Sequence, residues 1–272
     1  MDFLSIQSAD GATAKIASQG AHLCSWIPAG GSEQLFMSAT SAFQDGVAIR
    51  GGVPVVFPQF SNLGTLPKHG FARTSEWRLL ESGVLPGGAA QAIYELKENI
   101  ARLTIWPYVF RAELRFTLQA NAIQIALDIH NTGDTNFSFS TALHTYFAVA
   151  DIAGVSVHGL QGLRYRDTVS GQDHCLETAN ALHIHGETDR IYGAVPAQLE
   201  LRQPHQSMLI SSTGFADAVV WNPGAVGAVK INDLEPGGEK RMVCVEAATI
   251  LQPVTLVPGA SWHGSQTLEL RL

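Results

Sequence analysis

The chain has 272 residues, enough to bury a large core, and only 15% of them are charged, against about 25% in an average soluble protein. Its formal net charge of −7 argues against a broad surface for nucleic acid or for anionic membranes. Any bound anion must therefore be held by local cations. The sequence contains no internal repeat and no linker-like change in composition, so we predict a single domain over residues 1–272.

Three scattered cysteines, Cys24, Cys175 and Cys244, form neither a disulfide framework nor a zinc-binding spacing, which favours a reducing compartment. The N-terminus lacks the pattern of a signal peptide, and no apolar run approaches the roughly 18 residues of a membrane-spanning helix. We therefore expect a cytoplasmic protein, monomeric and without membrane contact.

The N-terminal part is predicted to form short strands at residues 14–18 and 21–27, followed by a turn at residues 29–32. Further turn sequences lie at 85–88 and 235–238. No long stretch repeats apolar side chains at helical spacing, so we expect few and short helices.

Residues 50–77 combine an apolar run with a cluster of cations. Two prolines interrupt the run, which favours an edge strand or a bent loop over a central strand. His69 lies in the sequence between Arg50 and Arg73, next to Lys68. A titratable imidazole among fixed positive charges is typical of a site for an anionic small molecule. The alternative is that each arginine pairs with a structural carboxylate and that His69 caps a turn.

The clearest pattern is the alternation of apolar and polar residues over 114–118 and again over 123–129, on either side of a short polar turn. Period-two alternation predicts a β-hairpin with one buried face. The same period recurs at the C-terminus, where Leu268, Leu270 and Leu272 are expected to share one face of a last strand.

Residues 137–147 are predicted to form a strand whose two faces differ. His144 and Tyr146 fall on the face that also carries small and polar residues, which leaves room for a ligand above the imidazole. The alternative is a histidine that satisfies its hydrogen bonds on an ordinary, half-exposed strand face.

His183 and His185, with Glu187 nearby, are spaced so that two imidazoles would lie on one side of a strand and could bind a metal. Further ligands at a fixed spacing are missing, so a solvated strand face is the preferred interpretation. The loops at 189–192 and 221–224 combine aromatic rings with polar groups, which suits a sugar but also suits a packed turn.

Glu246 is the only carboxylate in the apolar, strand-like run of residues 241–250. Charged side chains are rarely buried without a partner, so Glu246 should be paired, protonated or functional. Burial would raise its pKa into the range that serves a general base near neutrality. The structural alternative is a buried ion pair with an arginine.

Six stretches of the sequence, taken together and in order, resemble the aldose 1-epimerase (mutarotase) superfamily and in particular its hexose-6-phosphate branch. They are residues 50–60, 66–73, 143–147, 188–192, 220–223 and 244–247. The resemblance spans most of the chain. It implies an all-β fold, a large antiparallel, galactose-mutarotase-like β-sandwich (supersandwich), with the sugar bound on one concave face.

The resemblance also implies catalytic roles. Glu246 is similar to the family's general base on the anomeric hydroxyl, and His144 is similar to the general acid on the ring oxygen. His69 matches the second histidine, which hydrogen-bonds near that oxygen.

For substrate binding, Asp189 is similar to the carboxylate that holds sugar hydroxyls. Arg50 and Arg73 match the phosphate-binding arginines of the hexose-6-phosphate branch. Gln59 and Lys68 are further candidates for the phosphate contact.

The sequence contains no glycine-rich nucleotide fingerprint, Walker sequence or serine-nucleophile elbow, which leaves acid–base chemistry without a cofactor. With the resemblance, this predicts an isomerase that interconverts the anomers of glucose 6-phosphate and needs no metal. Two alternatives stay open. One is a non-catalytic carbohydrate-binding or sugar-phosphate-sensing domain on the same fold, and the other is a metal-dependent β-barrel enzyme that uses His183 and His185.

Overall fold

The structure, a computed structural model describing residues 1–272, consists almost entirely of antiparallel β-strands. The strands are β1 (Phe3–Gln7), β2 (Thr13–Ala17), β3 (His22–Ile27), β4 (Val55–Val56), β5 (Arg78–Val84), β6 (Ala90–Lys97), β7 (Phe110–Gln119), β8 (Ala122–Asn131), β9 (Phe137–Leu143), β10 (Tyr146–Ala148), β11 (Ser156–His158), β12 (Arg164–Asp167), β13 (Gln172–Leu176), β14 (Ala181–His183), β15 (Thr188–Gly193), β16 (Gln198–Gln203), β17 (Gln206–Thr213), β18 (Asp217–Asn222), β19 (Met242–Leu256) and β20 (Ser261–Arg271). The helices are α1 (Ile100–Ile105) and α2 (Gly224–Ala228), with 3₁₀ turns at Ala72–Thr74, Ile152–Gly154 and Gly238–Lys240. Neither helix has the length and hydropathy that crossing a membrane requires.

The strands form two large sheets and one small sheet. A nine-stranded sheet has the order β14-β11-β16-β17-β20-β8-β7-β6-β5, and an eight-stranded sheet has the order β13-β12-β15-β18-β19-β9-β4, with β10 also paired to β19. The small sheet has the order β1-β2-β3. One hydrophobic cluster of 52 buried residues contains side chains from all three sheets. The predicted antiparallel sandwich is therefore confirmed, and the single domain over residues 1–272 stays a prediction.

Alternation along the strands decides which side chains enter this core. In β19, Val243, Val245 and Ala247 belong to the main cluster, whereas Cys244 and Glu246 point to the opposite face of the sheet. The hairpin predicted from alternating residues is β7–β8. The three cysteines are unpaired thiols, as their spacing predicts.

Two predicted strands differ in the structure. Residues 137–147 do not form one uninterrupted strand. β9 ends at Leu143 and β10 begins at Tyr146, although both pair with β19 in the same register, and the amide of Thr145 turns back to donate to the carbonyl of Leu143 at 3.0 Å. At the C-terminus, β20 ends at Arg271 and Leu272 is fully exposed, so the predicted alternation stops one residue pair early.

A long irregular segment, residues 49–77, crosses the eight-stranded sheet. Its two-residue strand β4 pairs with β9 at the sheet edge, as the prolines predicted. Gly52 and Gly70 have positive φ values of 57° and 69°, and a Cβ atom at either position would overlap a backbone carbonyl, that of Leu23 or of Phe57. Glycine at these two points lets the segment lie flat against the rest of the fold.

Candidate active site

Four neighbouring strands of the eight-stranded sheet, β15, β18, β19 and β9, and the segment of residues 49–77 surround a polar cavity. Residues that are remote in sequence meet here because the strands that carry them are adjacent. The residues that line the cavity are Arg50, Phe60, Ser61, Lys68, His69, Arg73, His144, Asp189, Val219, Trp221 and Glu246. Seven of the eight predicted site residues are therefore brought together.

The buried carboxyl group of Glu246 lies beside the imidazole of His144. Glu246 Oε1 is 3.3 Å from His144 Nδ1, and the carboxyl group forms no salt bridge with an arginine or lysine. The contact lacks the geometry of a hydrogen bond, so His144 Nδ1 is buried without a hydrogen-bond partner, and the other carboxyl oxygen, Glu246 Oε2, is also buried without one. Such atoms are rare in folded proteins, and they mark this pair as a candidate functional site.

Burial shifts both members of this pair toward their neutral forms. It raises the pKa of Glu246 well above the ordinary value of a carboxyl group, and the negative charge of Asp189 raises this pKa further. Burial also lowers the pKa of His144 well below that of a free imidazole, and the nearby positive charges act in the same direction. Both shifts favour a neutral carboxylic acid, with its one proton, next to a neutral imidazole.

His69 is held as a neutral hydrogen-bond donor. The amide of Ser61 donates to His69 Nδ1 at 3.2 Å, so the ring hydrogen belongs on Nε2. Burial, followed by the positive charges around the ring, lowers the pKa of His69 to about 3. Its φ of 67° is unusual for a residue with a side chain, and such strain clusters at functional sites. The ring centroid lies 5.7 Å from that of His144.

Three cations, Arg50, Lys68 and Arg73, line the same cavity. Arg50 Nε donates to Asp233 Oδ1 at 3.1 Å, and its Nη1 donates to the hydroxyl of Tyr146 at 2.9 Å. Arg73 donates to the carbonyl of Lys68 at 3.0 Å, but it pairs with no carboxylate and its Nε is buried without a partner. Pairing with a structural carboxylate is thus correct for Arg50 and wrong for Arg73, which leaves uncompensated positive charge at the cavity.

Polar and aromatic groups from β15 and β18 complete the lining. Asp189 and Trp221 are register partners on these strands, so the carboxyl group and the indole reach the cavity from adjacent positions. Burial raises the pKa of Asp189. Flat apolar surface beside carboxylate oxygens suits a sugar ring, which has apolar C–H faces and hydroxyl donors.

Gln266, a fully buried residue of the opposite sheet, supports the acid–imidazole pair from behind. The hydroxyl of Thr145 donates to Gln266 Oε1 at 2.6 Å, and Gln266 Nε2 donates to the carbonyl of Val245 at 3.3 Å. Thr145 directly follows His144 in the sequence, and Val245 directly precedes Glu246. The side chain of Gln266 therefore holds the backbone next to both members of the pair.

Gln59 is the one predicted site residue that does not line the cavity. Its Nε2 donates to the carbonyls of Ser61 and Leu66, and its Oε1 accepts from the amide of Leu66. These three bonds hold the loop of residues 61–66 and leave the amide group engaged. Gln59 therefore shapes the loop beside the cavity.

Sequence reasoning did not include Tyr146, Asp233, Trp221 or Gln266 among the site residues. Two of them carried a signal. Tyr146 shares a predicted strand face with His144, and Trp221 lies in one of the aromatic–polar loops. Asp233 and Gln266 carried none, because their roles arise from contacts with residues far away in the chain.

His183 and His185 lie outside this cavity. Their rings stack with centroids 6.1 Å apart, both are exposed, and no group of three histidine, cysteine, aspartate or glutamate side chains is arranged to hold a metal ion. The geometry supports the solvated strand face for these two residues.

The antiparallel sandwich and the buried acid–imidazole pair define a class of protein, the sugar isomerases of the mutarotase type. The chain belongs to the aldose 1-epimerase family, whose model matches residues 2–269. It is therefore an isomerase, as the sequence predicts.

Individual relatives agree with this assignment. The chain is 37% identical over 262 residues to a protein of Escherichia coli K12, covering 94% of this chain and 86% of that one. It is 34% identical over 274 residues to a protein of Cenchrus ciliaris, covering 97% and 83%. Both are named "Putative glucose-6-phosphate 1-epimerase". The crystal structure of the "putative mutarotase" YeaD of Salmonella typhimurium superposes with a TM-score of 0.92 at 31% identity, covering 99% and 90% of the two chains.

Proposed function

We propose that this chain interconverts the α and β anomers of a hexose 6-phosphate, with glucose 6-phosphate as its substrate. The observation that carries the proposal is the 3.3 Å contact between Glu246 and His144 in a cavity that is also lined by Arg50, Lys68 and Arg73. A base and an acid lie at one place, and cations suited to a phosphate dianion line the same space. The names of the relatives support the choice of substrate.

The reaction needs two proton transfers. A base removes the proton of the C1 hydroxyl while an acid protonates the ring oxygen, so the C1–O5 bond breaks and a free aldehyde forms. Rotation about the C1–C2 bond and reclosure on the other face of the aldehyde, with both transfers reversed, gives the other anomer. Glu246 is assigned as the base and His144 as the acid.

The single proton of the pair accounts for both roles. Its transfer from the carboxyl group of Glu246 to His144 converts two neutral groups into a carboxylate and an imidazolium. Burial is the main cause that lowers the pKa of His144, and the positive charges of Arg73 and Arg50 lower it further. A phosphate dianion bound between the two arginines offsets that charge, and this favours the imidazolium once the substrate is in place.

The remaining residues of the cavity orient the sugar. His69, neutral and with its ring hydrogen on Nε2, is assigned as a hydrogen-bond donor near the ring oxygen. Asp189 is assigned to accept hydrogen bonds from sugar hydroxyls, and the ring of Trp221 offers an apolar surface. Phosphate contacts with Arg50 and Arg73, assisted by Lys68, fix the far end of the sugar and so set the position of C1.

Anomer exchange measured by NMR on glucose 6-phosphate, above the spontaneous rate, tests this proposal. Glu246→Gln and His144→Ala are expected to lose about 10²–10⁴-fold in rate each, because each removes one positioned proton transfer. Near-wild-type rates in either variant would refute its assigned role. A protein that binds the sugar phosphate without accelerating exchange would instead be a binding domain.

His185→Ala and Glu187→Gln are the matched controls, since both residues are exposed and lie outside the cavity. Both variants are expected to keep the wild-type rate, and the wild type is expected to keep it in a chelator. Loss of activity in the His185 variant together with loss in chelator would favour the metal-dependent alternative.

A further inference from the structure

Tyr146 lies between the arginine and the histidine that the proposed function assigns to opposite ends of the substrate. Its hydroxyl oxygen accepts a hydrogen bond from Arg50 Nη1 at 2.9 Å. Its ring stacks on the imidazole of His144, with the centroids 4.8 Å apart and the planes within 10° of parallel. One side chain therefore contacts both groups directly.

The surroundings of Tyr146 fix this ring in one orientation. The side chain is 2% exposed and packs in a cluster with Phe36, Leu234, Met242 and Cys244. Its backbone pairs with β19, and its amide donates to the carbonyl of Gly52 at 2.9 Å, in the same loop as Arg50. A tyrosine held in this way restricts the orientations of Arg50 and His144, which contact it.

Arg50 has two anchors and spare hydrogen-bond donors. A guanidinium group has five N–H bonds, of which one reaches Asp233 and one reaches Tyr146. The other N–H bonds have no protein acceptor, and Arg50 lines the cavity. An anion that binds in the cavity can therefore accept hydrogen bonds from the Arg50 guanidinium, whose position depends on Tyr146.

We infer that Tyr146 is a positioning residue that ties the orientation of Arg50, at the phosphate end of the site, to the orientation of the His144 imidazole at the reacting end. The inference rests on the proposed function. Part of the phosphate binding energy is thereby used to orient the His144 imidazole, the proposed acid. This raises the rate of the chemical step in addition to tightening substrate binding. A tyrosine that only fills space between strands gives no such connection.

A double-mutant cycle tests the link to Arg50. Tyr146→Phe keeps the stacked ring and removes the hydroxyl, so kcat/KM for glucose 6-phosphate is expected to fall about 10-fold, the scale of a hydrogen bond to a charged group. In an Arg50→Ala background the same change is expected to cost less than about 2-fold, because the group it positions is gone. A 10-fold loss in both backgrounds, or no loss in either, would overturn the link.

Free glucose is the second substrate of the cycle, because it lacks the phosphate. Tyr146→Phe is expected to leave its turnover within about 2-fold of wild type, since the ring still holds His144. An equal fractional loss for free and phosphorylated glucose would show that the hydroxyl serves packing alone. Tyr192→Phe is the matched control, because it also removes a buried hydroxyl, one that donates to Glu177 at 2.9 Å, and wild-type kcat/KM is expected.

The link to His144 is tested by Tyr146→Leu, which removes the stacking plane and is expected to lower kcat for both sugars at least about 10-fold. Wild-type kcat in a folded Leu variant would refute it. If that variant does not fold, NMR on histidine-labelled protein at saturating inorganic phosphate decides. The change in the chemical shifts of the His144 ring signals on phosphate binding is expected to fall by about half in Tyr146→Phe. An unchanged response would refute the link between Arg50 and His144 through Tyr146.

Failure of the proposed function is recognised separately, since it appears as wild-type protein that does not accelerate anomer exchange. The Tyr146–Arg50 cycle is then carried out on the binding of glucose 6-phosphate by calorimetry. Coupling in binding without catalysis would keep the link to Arg50, and additive losses would remove it.

Discussion

Glu246→Gln is expected to make the folded protein more stable at the expense of the activity proposed for it, and the gain should grow with pH. Glu246 is 2% exposed, and burial raises its pKa well above that of the unfolded chain. A group whose pKa is raised by folding contributes its full stabilisation of the folded state at pH values below its unfolded pKa. This contribution is lost as the pH rises through the folded pKa. Glutamine has nearly the same shape but takes up no proton.

The size of the effect follows from proton linkage. Where the folded carboxyl group is protonated and the unfolded one is ionised, the free energy of unfolding falls by about 1.4 kcal/mol per pH unit. Between pH 6 and pH 8 the Gln variant should therefore gain up to about 2.7 kcal/mol relative to wild type. For a chain of this size, that corresponds to about 5–11 °C in the unfolding midpoint.

Thermal or urea unfolding of both proteins at several pH values measures this difference, and titrations that the two proteins share cancel. Glu95→Gln is the matched control. Glu95 is also buried, but hydrogen bonds from Arg78 and Lys97 outweigh the burial effect and lower its pKa. Its difference from wild type should not change over pH 6–8. A pH-independent difference for Glu246→Gln as well would refute the reasoning that its carboxyl group is kept neutral.

Three further predictions concern activity. Arg50→Ala and Arg73→Ala should each raise KM for glucose 6-phosphate about 10–100-fold, because each removes charge-assisted hydrogen bonds to the phosphate. KM for free glucose should change less than about 3-fold. Equal changes for the two sugars would make both arginines structural. The pH profile of kcat/KM for free glucose should stay flat through pH 6.5 and fall only at alkaline pH, because burial lowers the pKa of His144 and raises the pKa of Glu246 in the free protein. An acid limb near pH 6.5 would contradict this. Gln266→Leu should lower kcat about 10-fold with KM nearly unchanged, since it frees the backbone that carries the pair, and a rise in KM alone would contradict the supporting role.

The fold class was accessible from the sequence because the longest patterned strands, β7 and β8, alternate between buried and more exposed residues. The β7–β8 hairpin has one face in the core, and such a pattern has few other solutions. The apolar run around Glu246 is buried on both faces, which is typical of a strand inside a sheet. The break after Leu143 was not predictable, because local alternation continues through it. There the amide of Thr145 donates to the carbonyl of Leu143, a local turn that interrupts the strand without changing its register with β19.

The candidate site was accessible to the extent that motifs carry it. The two carboxylates, two histidines and three cations that line the cavity all lie in the stretches that resemble the family. Tyr146 and Asp233 were missed as partners of Arg50, which lie 96 and 183 positions away from it in the sequence. No local sequence pattern encodes such contacts. The hydrogen bonds of the Gln59 amide group to the loop of residues 61–66 were not predictable from the sequence for the same reason.

Residues 49–77 supply every cation of the cavity, whereas the acid–imidazole pair sits at the strands of the sheet. Under the proposed function, the cations that bind phosphate therefore lie in one stretch of the chain, which also carries His69, whereas Glu246 and His144 lie outside it. Exchange of this stretch between relatives, with His69 kept, would alter the preference for phosphorylated or free sugars while leaving Glu246 and His144 in place. Such an exchange would change which sugars this protein binds without changing the pair that transfers protons.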